Sequence, residues 1–299
     1  MAATISGPTV RSLVLSVALL AAGCAAAPDP PAGMFDSHVH LNDVAMQLAL
    51  MDQYGVERAV VFWGRRSDNE SILEAAAKHP GRFVPFASIS PERRAYRAQW
   101  ARDDPALVGE LEALLASGKF RGIGEISVVH AESAGFAATD FSPDSTVMRG
   151  IMALAARHRI PVMVHCETTR MAELERLLAA HRDVAVIWAH GGYTGAAEAR
   201  RMLAAHPNLF YELSARTWPR HPRSADYPIV REGAVLPEWL ALIESMPRRF
   251  LVGTDASHHV EANERMKLES VRDFLGQLSP AARREVAGEV LRRLLGEAR

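Results

Sequence analysis

The chain has 299 residues, 48% hydrophobic and 23% charged, with 20 Gly and 17 Pro. This ordinary globular composition excludes a disordered body and suffices for one large domain or two small ones. The formal net charge is −1, and setting aside the first 23 residues, whose only charged side chain is Arg11, makes it one unit more negative. No electrostatic bias points to nucleic acid or acidic lipid. The two cysteines, Cys24 and Cys166, exclude a disulfide framework.

The first element in chain order is an apolar run after Arg11, residues 12–23, too short to span a bilayer; it predicts a signal peptide over residues 1–23. The run closes in Leu20-Ala21-Ala22-Gly23-Cys24, which resembles the bacterial lipobox, where cleavage precedes a cysteine that carries lipid; Ala21 stands where Leu is commonest. Cys24 is therefore the expected lipidation site, favoured over ordinary cleavage at a neighbouring Ala-rich site. Residues 24–33, rich in Ala and Pro, form a short extended tether, and the folded body spans 34–299. The expected location is outside the cytoplasm, as a periplasmic or cell-surface lipoprotein held to the membrane through its lipid anchor only.

From Met34 onward short apolar runs alternate with amphipathic segments, and no break in composition marks a second domain. Strand-like runs fall at 34–39, 58–63, 82–89, 120–126, 161–165, 184–190, 209–214 and 249–255. Several are rich in Val, Ile and Phe without strict alternation, the pattern of strands buried on both faces. Helical patterns lie between them. Val44, Leu48 and Met51 recur after Asn42 and Asp43, and Ser67 with Glu70 predicts a capping box ahead of Ile72, Leu73 and Ala76. Asp104-Pro105 opens a helix carrying Leu107, Leu111, Leu114 and Leu115, closed by Gly118. Further helices are expected over 147–159, 171–181, 195–206, 236–246 and 261–278, one after each strand. An eightfold strand–helix alternation is the rhythm of an α/β fold of the (β/α)8 TIM-barrel type, here with an appended C-terminal packing helix over 280–295. A doubly wound sheet is the runner-up, but no Gly-x-Gly-x-x-Gly turn follows the first strand and Gly118-Lys119 lacks the rest of a P-loop. Two loops are long, 127–145 and 215–235, as lids and binding loops commonly are.

In such a barrel the active site lies at the C-terminal ends of the strands, and metal-binding residue types fall there. His38 and His40, at i and i+2, share a face at the end of the first strand; Glu125 ends the fourth, His165 the fifth, His190 the sixth and Asp255 the eighth. Singly each has a plain explanation, a core histidine or, for Asp255, a helix N-cap; together at one end of one barrel they point to a metal site. Mixed imidazole and carboxylate donors suit Zn²⁺ and also Mn²⁺ or Fe²⁺. Asp255 is then both ligand and proton shuttle from metal-activated water to the leaving group, and Asp36 is expected to orient a histidine ligand through its ring N–H.

The segments Asp36-Ser37-His38-Val39-His40, Gly122-Ile123-Gly124-Glu125, Val164-His165-Cys166-Glu167, Ala189-His190-Gly191-Gly192 and Val252-Gly253-Thr254-Asp255-Ala256-Ser257, in this order, resemble the amidohydrolase superfamily of metal-dependent TIM-barrel hydrolases. The resemblance implies that His38, His40 and Asp255 hold one metal and His165 and His190 a second, with Glu125 bridging, so that one or two ions bind. A bridging glutamate is similar to the TatD-type deoxyribonuclease branch, whereas Ala189-His190-Gly191-Gly192 is closer to the amidohydrolase-related branch of mononuclear hydrolases and decarboxylases. Many relatives bridge with a carbamylated lysine; Lys119 cannot substitute, because it lies at the opposite end of the barrel.

Substrate contacts are expected just after strand ends, at Trp63, Arg65, Tyr193 and Arg216, the two arginines pairing with a substrate carboxylate. Cys166 is expected to be buried packing, and His130, Glu132, Glu167, Ser257, His258 and His259 solvated loop residues. The expected function is metal-dependent cleavage of a C–O or C–N bond in a small molecule such as a lactone, ester or amide. The alternatives are a decarboxylase on the same scaffold and a non-catalytic barrel lipoprotein serving as a binding module. A nucleic-acid partner is not expected from this charge balance.

Overall fold

The computed structural model describes residues 1–2, 33–132, 137–218 and 228–297. Apart from residues 1–2 and Gly33, the expected signal peptide, Cys24 and the tether lie outside the described residues, as do parts of both long loops. Among the described residues no helix is long and apolar enough to cross a membrane.

The expected barrel is present. β1 (Met34–Leu41), β2 (Val56–Trp63), β3 (Phe83–Ala87) and β4 (Gly122–His130) pair in parallel, and β4 carries a short antiparallel side strand, β5 (Thr139–Asp140). The ring continues through β6 (Val162–Cys166), β7 (Val186–Trp188) and β8 (Leu209–Glu212); a small antiparallel pair, β9 (Val230–Arg231) and β10 (Ala234–Val235), precedes β11 (Phe250–Leu251), which pairs with β8. The two ends of the sheet meet. The Ser37 N–H donates to the Val252 carbonyl at 3.0 Å and the His40 N–H to that of Ala256 at 2.8 Å. The Asp36 carboxylate accepts from the Thr254 N–H at 2.9 Å and its hydroxyl at 2.6 Å.

Around the strands run α1 (Val44–Tyr54), α2 (Asn69–Lys78), α3 (Arg94–Ala101), α4 (Ala106–Leu115), α5 (Thr146–His158), α6 (Met171–Ala180), α7 (Ala196–Ala205), α8 (Pro237–Ser245) and α9 (Glu261–Gly276). Two helices, not one, follow β3. The first, α3, buries only Trp100, so it lacks the apolar stripe that marks a core-facing helix. The capping box of α2 is shifted by one residue from the expected pair: Asp68 accepts from the Ser71 N–H at 2.8 Å, while the Ser67 hydroxyl accepts from the Gly64 N–H at 2.7 Å.

The expected C-terminal helix is α10 (Pro280–Arg284), a π-helical turn at Glu285–Glu289 and α11 (Val290–Leu294). It does more than pack outside. Val290 and Leu291, each 1% exposed, share one apolar cluster with the inward side chains Phe35, Phe62, Phe86, Met163 and Ile187. Each such buried side chain contributes roughly 1.5–3 kcal/mol. An Arg121 guanidinium nitrogen donates to the Leu295 carbonyl at 2.7 Å. This segment therefore floors the barrel at the starts of the strands and leaves the opposite end open. Lys119 lies beside Arg121 at the floor.

Candidate metal centre

At the open end the barrel brings six of the predicted side chains together. His38 and His40 from β1 place their Nε2 atoms 3.3 Å apart. Glu125 Oε2, from β4, lies 3.4 Å from the first and 3.2 Å from the second, and Asp255 Oδ1, after β11, lies 3.5 Å from both. On the other side of Glu125, Oε1 is 3.0 Å from His165 Nδ1 of β6 and 3.7 Å from His190 Nε2 after β7. The donor atoms of His38, His40 and Asp255 fall within 4.8 Å of one another, as do those of Glu125, His165 and His190. All are buried or nearly so; Asp255, with a side chain 25% exposed, is the one that faces the opening.

Three of the imidazoles are held from behind. His40 Nδ1 lies 3.1 Å from the Trp63 carbonyl, His38 Nδ1 3.4 Å from Glu212 Oε2 and His190 Nδ1 3.0 Å from the Ser214 carbonyl. A carbonyl or a carboxylate only accepts, so these contacts select the Nδ1–H tautomer and leave the Nε2 lone pairs pointing at the centre. That is how outer partners prepare histidines for a metal. Asp36 does not do this, contrary to expectation. It accepts from the His38 backbone N–H at 3.1 Å and from Thr254, because at the start of the bend it faces the β1–β11 seam. The role belongs to Glu212, fully buried on β8.

Close approach explains the glycines. A Cβ on Gly253 would lie 2.5 Å from Glu212 Oε1 and 2.9 Å from His38 Cβ, and one on Gly191 would sit 1.7 Å from the Tyr211 ring. His190, Gly191, Gly192 and Tyr193 are all left-handed, with φ of 55°, 52°, 56° and 57°. The two that bear side chains there cost about 1–2 kcal/mol each. Gly124 and Glu125 are joined by a cis peptide bond.

The cluster is electrostatically poised for a cation. Burial disfavours the His38 cation, yet Glu125 foremost, then Glu212 and Asp255, hold its pKa well above the ordinary value. Burial likewise opposes the charging of His165, but Glu125 and Glu167 raise it to about 9. His190 goes the other way, pushed well down by burial and then by the charges of His165 and His38. Burial would raise the Glu125 carboxyl, but His38 and His165 hold it well below the usual range. A field that draws protons onto buried imidazoles draws any cation to the same nitrogens, and metal binding then releases those protons. His165 Nε2 is buried without a hydrogen-bond partner, 3.6 Å from Glu167 Oε1, so a bound cation could replace its proton. The donor set therefore fits a divalent ion.

A cavity of about 480 Å³ opens above the centre. Trp63, Arg65 and Tyr193 line it as expected from their positions. Arg216 does not. It is 1% exposed and donates to the His190 and Thr194 carbonyls at 3.0 and 2.9 Å, so it lies behind the turn after β7 rather than before a substrate. Cys166 is fully buried, as expected, and burial pushes its thiol pKa up. Glu132 and His259 are exposed as expected, but other loop residues are less solvated. Glu167 is 7% exposed and accepts from the Ala131 N–H at 3.0 Å; the His130 ring lies 4.6 Å from that of His165, tilted by 58°; His258 points inward, accepting from the Asn42 N–H at 3.2 Å and bonding Gln47 at 2.8 Å. Sequence reasoning missed Glu92, Trp218 and Lys267, which also line the cavity. Lys267 Nζ donates to the Asp255 carbonyl at 2.7 Å and lies 4.6 Å from the Trp218 ring.

The profile of the family described as Amidohydrolase matches residues 36–296. Comparison with curated protein sequences finds no match. Among solved structures, an uncharacterized TIM-barrel protein from Bordetella bronchiseptica is 17% identical with a TM-score of 0.62, covering 89% of this chain and 99% of its own. A dihydroxybenzoic acid decarboxylase from Polaromonas sp. JS666, with bound manganese and the inhibitor 2-nitroresorcinol, is 14% identical with a TM-score of 0.56, over 89% and 98%. A probable 2-pyrone-4,6-dicarboxylic acid hydrolase from Acinetobacter baumannii, with citric acid bound, is 12% identical with a TM-score of 0.54, over 88% and 99%. At these identities the likeness is one of fold. The family match covers nearly all of the barrel, centre included, and sets aside a non-catalytic module: the chain belongs to the amidohydrolase family and is a metal-dependent enzyme of that type.

Proposed function

We propose that the enzyme is a hydrolase cleaving a C–O or C–N bond, such as that of a lactone, ester or amide, in a small molecule. The supporting observation is Asp255, a carboxylate at once within 3.5 Å of the His38 and His40 nitrogens and open to the cavity. His38, His40, Glu125, His165, His190 and Asp255 would hold the metal, which when bound would supply Lewis acidity and water with a pKa lowered to about 7. Zn²⁺ is the proposed ion, with Mn²⁺ and Fe²⁺ as alternatives and one or two equivalents bound. Asp255 accepts the proton of the attacking water and carries it to the leaving group. Tyr193, stacked on His190 at 5.3 Å, and Trp63 wall the reacting bond from solvent.

Turnover of a lactone, ester and amide panel by metal-loaded protein tests this reading. Asp255→Ala should abolish it with the fold intact; retained turnover would count against the assignment. A decarboxylase is the second reading, supported by the dihydroxybenzoic acid decarboxylase that shares the fold; CO₂ release from aromatic carboxylates separates the two. We propose further that the enzyme is exported and lipid-anchored at Cys24, a reading supported by the lipobox-like sequence. A Cys24→Ser protein that still partitions with membranes would refute it.

A further inference from the structure

The turn after β7 joins the centre to the cavity wall. His190 and Tyr193 stand at its two ends, their rings stacked at an interplanar angle of 23°, and all four residues from His190 to Tyr193 are left-handed. Gly191 and Gly192 take that conformation freely; His190 and Tyr193 do not, so something outside the turn must hold it.

Arg216 is placed to do so. Its Nη1 donates to the His190 carbonyl at 3.0 Å and its Nη2 to the Thr194 carbonyl at 2.9 Å, one fork spanning the turn. Nη1 also meets the Tyr211 hydroxyl. Inside the turn, the Gly191 carbonyl is taken by the Thr194 N–H at 3.1 Å and hydroxyl at 2.8 Å. The guanidinium lies 5.4 Å from the Trp239 ring and 5.8 Å from that of Tyr193. A planar guanidinium can bridge two carbonyls at fixed separation, whereas an ammonium is a single point. Glu212 meanwhile accepts from the His190 N–H at 3.1 Å, and Ser214 holds its ring. Alternate residues 212, 214 and 216 thus grip the amide, the ring and the carbonyl of one histidine.

We propose that Arg216 is a positioning residue whose guanidinium locks the left-handed turn, so that His190 presents Nε2 to the centre and Tyr193 stays packed on the imidazole. The affinity part of the test rests on the metal reading above; the ring-orientation part does not. Zn²⁺ is titrated against a chromophoric chelator in wild type, Arg216→Lys, Arg216→Met and Arg249→Met. Arg249 is the control, a partly buried arginine likewise bound to carbonyls, those of Leu203, His206 and Leu209, at the other end of the barrel. Arg216→Met should weaken Zn²⁺ binding about 10–100-fold, Arg216→Lys should recover part of it, and Arg249→Met should lower Tm without changing affinity.

In metal-free protein, long-range ¹H–¹⁵N spectra should show the His190 ring as the Nδ1–H tautomer in wild type and as a mixture in the Arg216 variants. Should Arg216→Met fail to fold, Arg216→Lys carries both readouts. Unchanged tautomer and unchanged affinity in the Arg216 variants, or an equal loss of affinity in Arg249→Met, would overturn the proposal. Wild-type protein that takes up no Zn²⁺ would remove the metal reading, and the tautomer measurement would then decide the clamp by itself.

Discussion

Replacing Glu212 by Gln keeps its shape and removes its charge. The fully buried carboxylate serves five donors: Oε1 takes the Ser214 N–H at 2.7 Å and the Ser37 hydroxyl at 3.3 Å, and Oε2 takes the Ser214 hydroxyl at 2.7 Å, the His190 N–H at 3.1 Å and His38 Nδ1 at 3.4 Å. A glutamine accepts at one end only. Hydroxyls can rotate, but a backbone N–H cannot, so either amide orientation opposes its NH₂ to the N–H of Ser214 or of His190. An orphaned buried donor costs about 1–3 kcal/mol and the loss of charge in the remaining bonds about as much again, giving roughly 2–6 kcal/mol in all. His38 also loses the acceptor that fixes its tautomer, which weakens metal binding about 10–100-fold.

Urea unfolding of metal-free protein measures the first effect and chelator competition the second. Glu212→Gln within about 0.5 kcal/mol of wild type, with unchanged metal affinity, would refute the reasoning. The pH dependence has a definite sign. Burial pushes the Glu212 carboxyl up, but His38, then His190 and Ser214, outweigh it and hold the folded pKa below the ordinary value. Its stabilisation is complete above the ordinary carboxylate range and is lost as pH falls through the folded value; the Gln variant should lack that part of the acid transition.

Three further outcomes follow from the geometry. Gly191→Ala puts a Cβ 1.7 Å from the Tyr211 ring on a left-handed residue and should cost roughly 3 kcal/mol or more; an unchanged thermal midpoint would contradict this. Leu291→Ala, in the barrel floor, should lower unfolding free energy by about 2–5 kcal/mol while the metal-to-protein ratio by elemental analysis stays that of wild type. His258 is buried, and burial, opposed by Glu264, lowers its pKa. Its contribution is complete above the ordinary histidine pKa and declines as pH falls toward the folded value, so between about pH 7 and 5 His258→Gln should show a flatter stability profile in urea titrations at stepped pH.

The repeating strands and helices were legible because strands buried on both faces and capped helices write their period into the chain. The α3 helix did not, since Trp100 is its only buried residue. The six donors were legible because each stands at or near the end of an expected strand run, although β4 continues five residues past Glu125 to His130. Glu212 stands at such an end too, but inside the expected run 209–214 it read as a strand residue, and asking of every strand-end carboxylate what the rule asked of Glu125 would have found it. Arg216 was misjudged because Ala215 before it is left-handed, with φ of 57°, and a strand-by-strand reading follows no such turn. Lys267 comes from the first turns of α9, where nothing in the local pattern says that its ammonium reaches the Asp255 carbonyl.

The seam between β1 and the residues after β11 joins positions more than two hundred apart, Ser37 with Val252 being separated by 215. Contacts that distant are the slowest to form. While β1 awaits its last neighbour, its amides form an open edge, and an ion arriving early meets His38, His40 and Glu125 without Asp255. The seam and the complete donor set come into being in one event, because Asp36–Thr254 and His40–Ala256 tie down the segment that carries Asp255. Full occupancy of the His38, His40 and Asp255 group is thus expected only in barrels that have finished closing, and chains that stopped one strand short should be sought among fractions poor in metal.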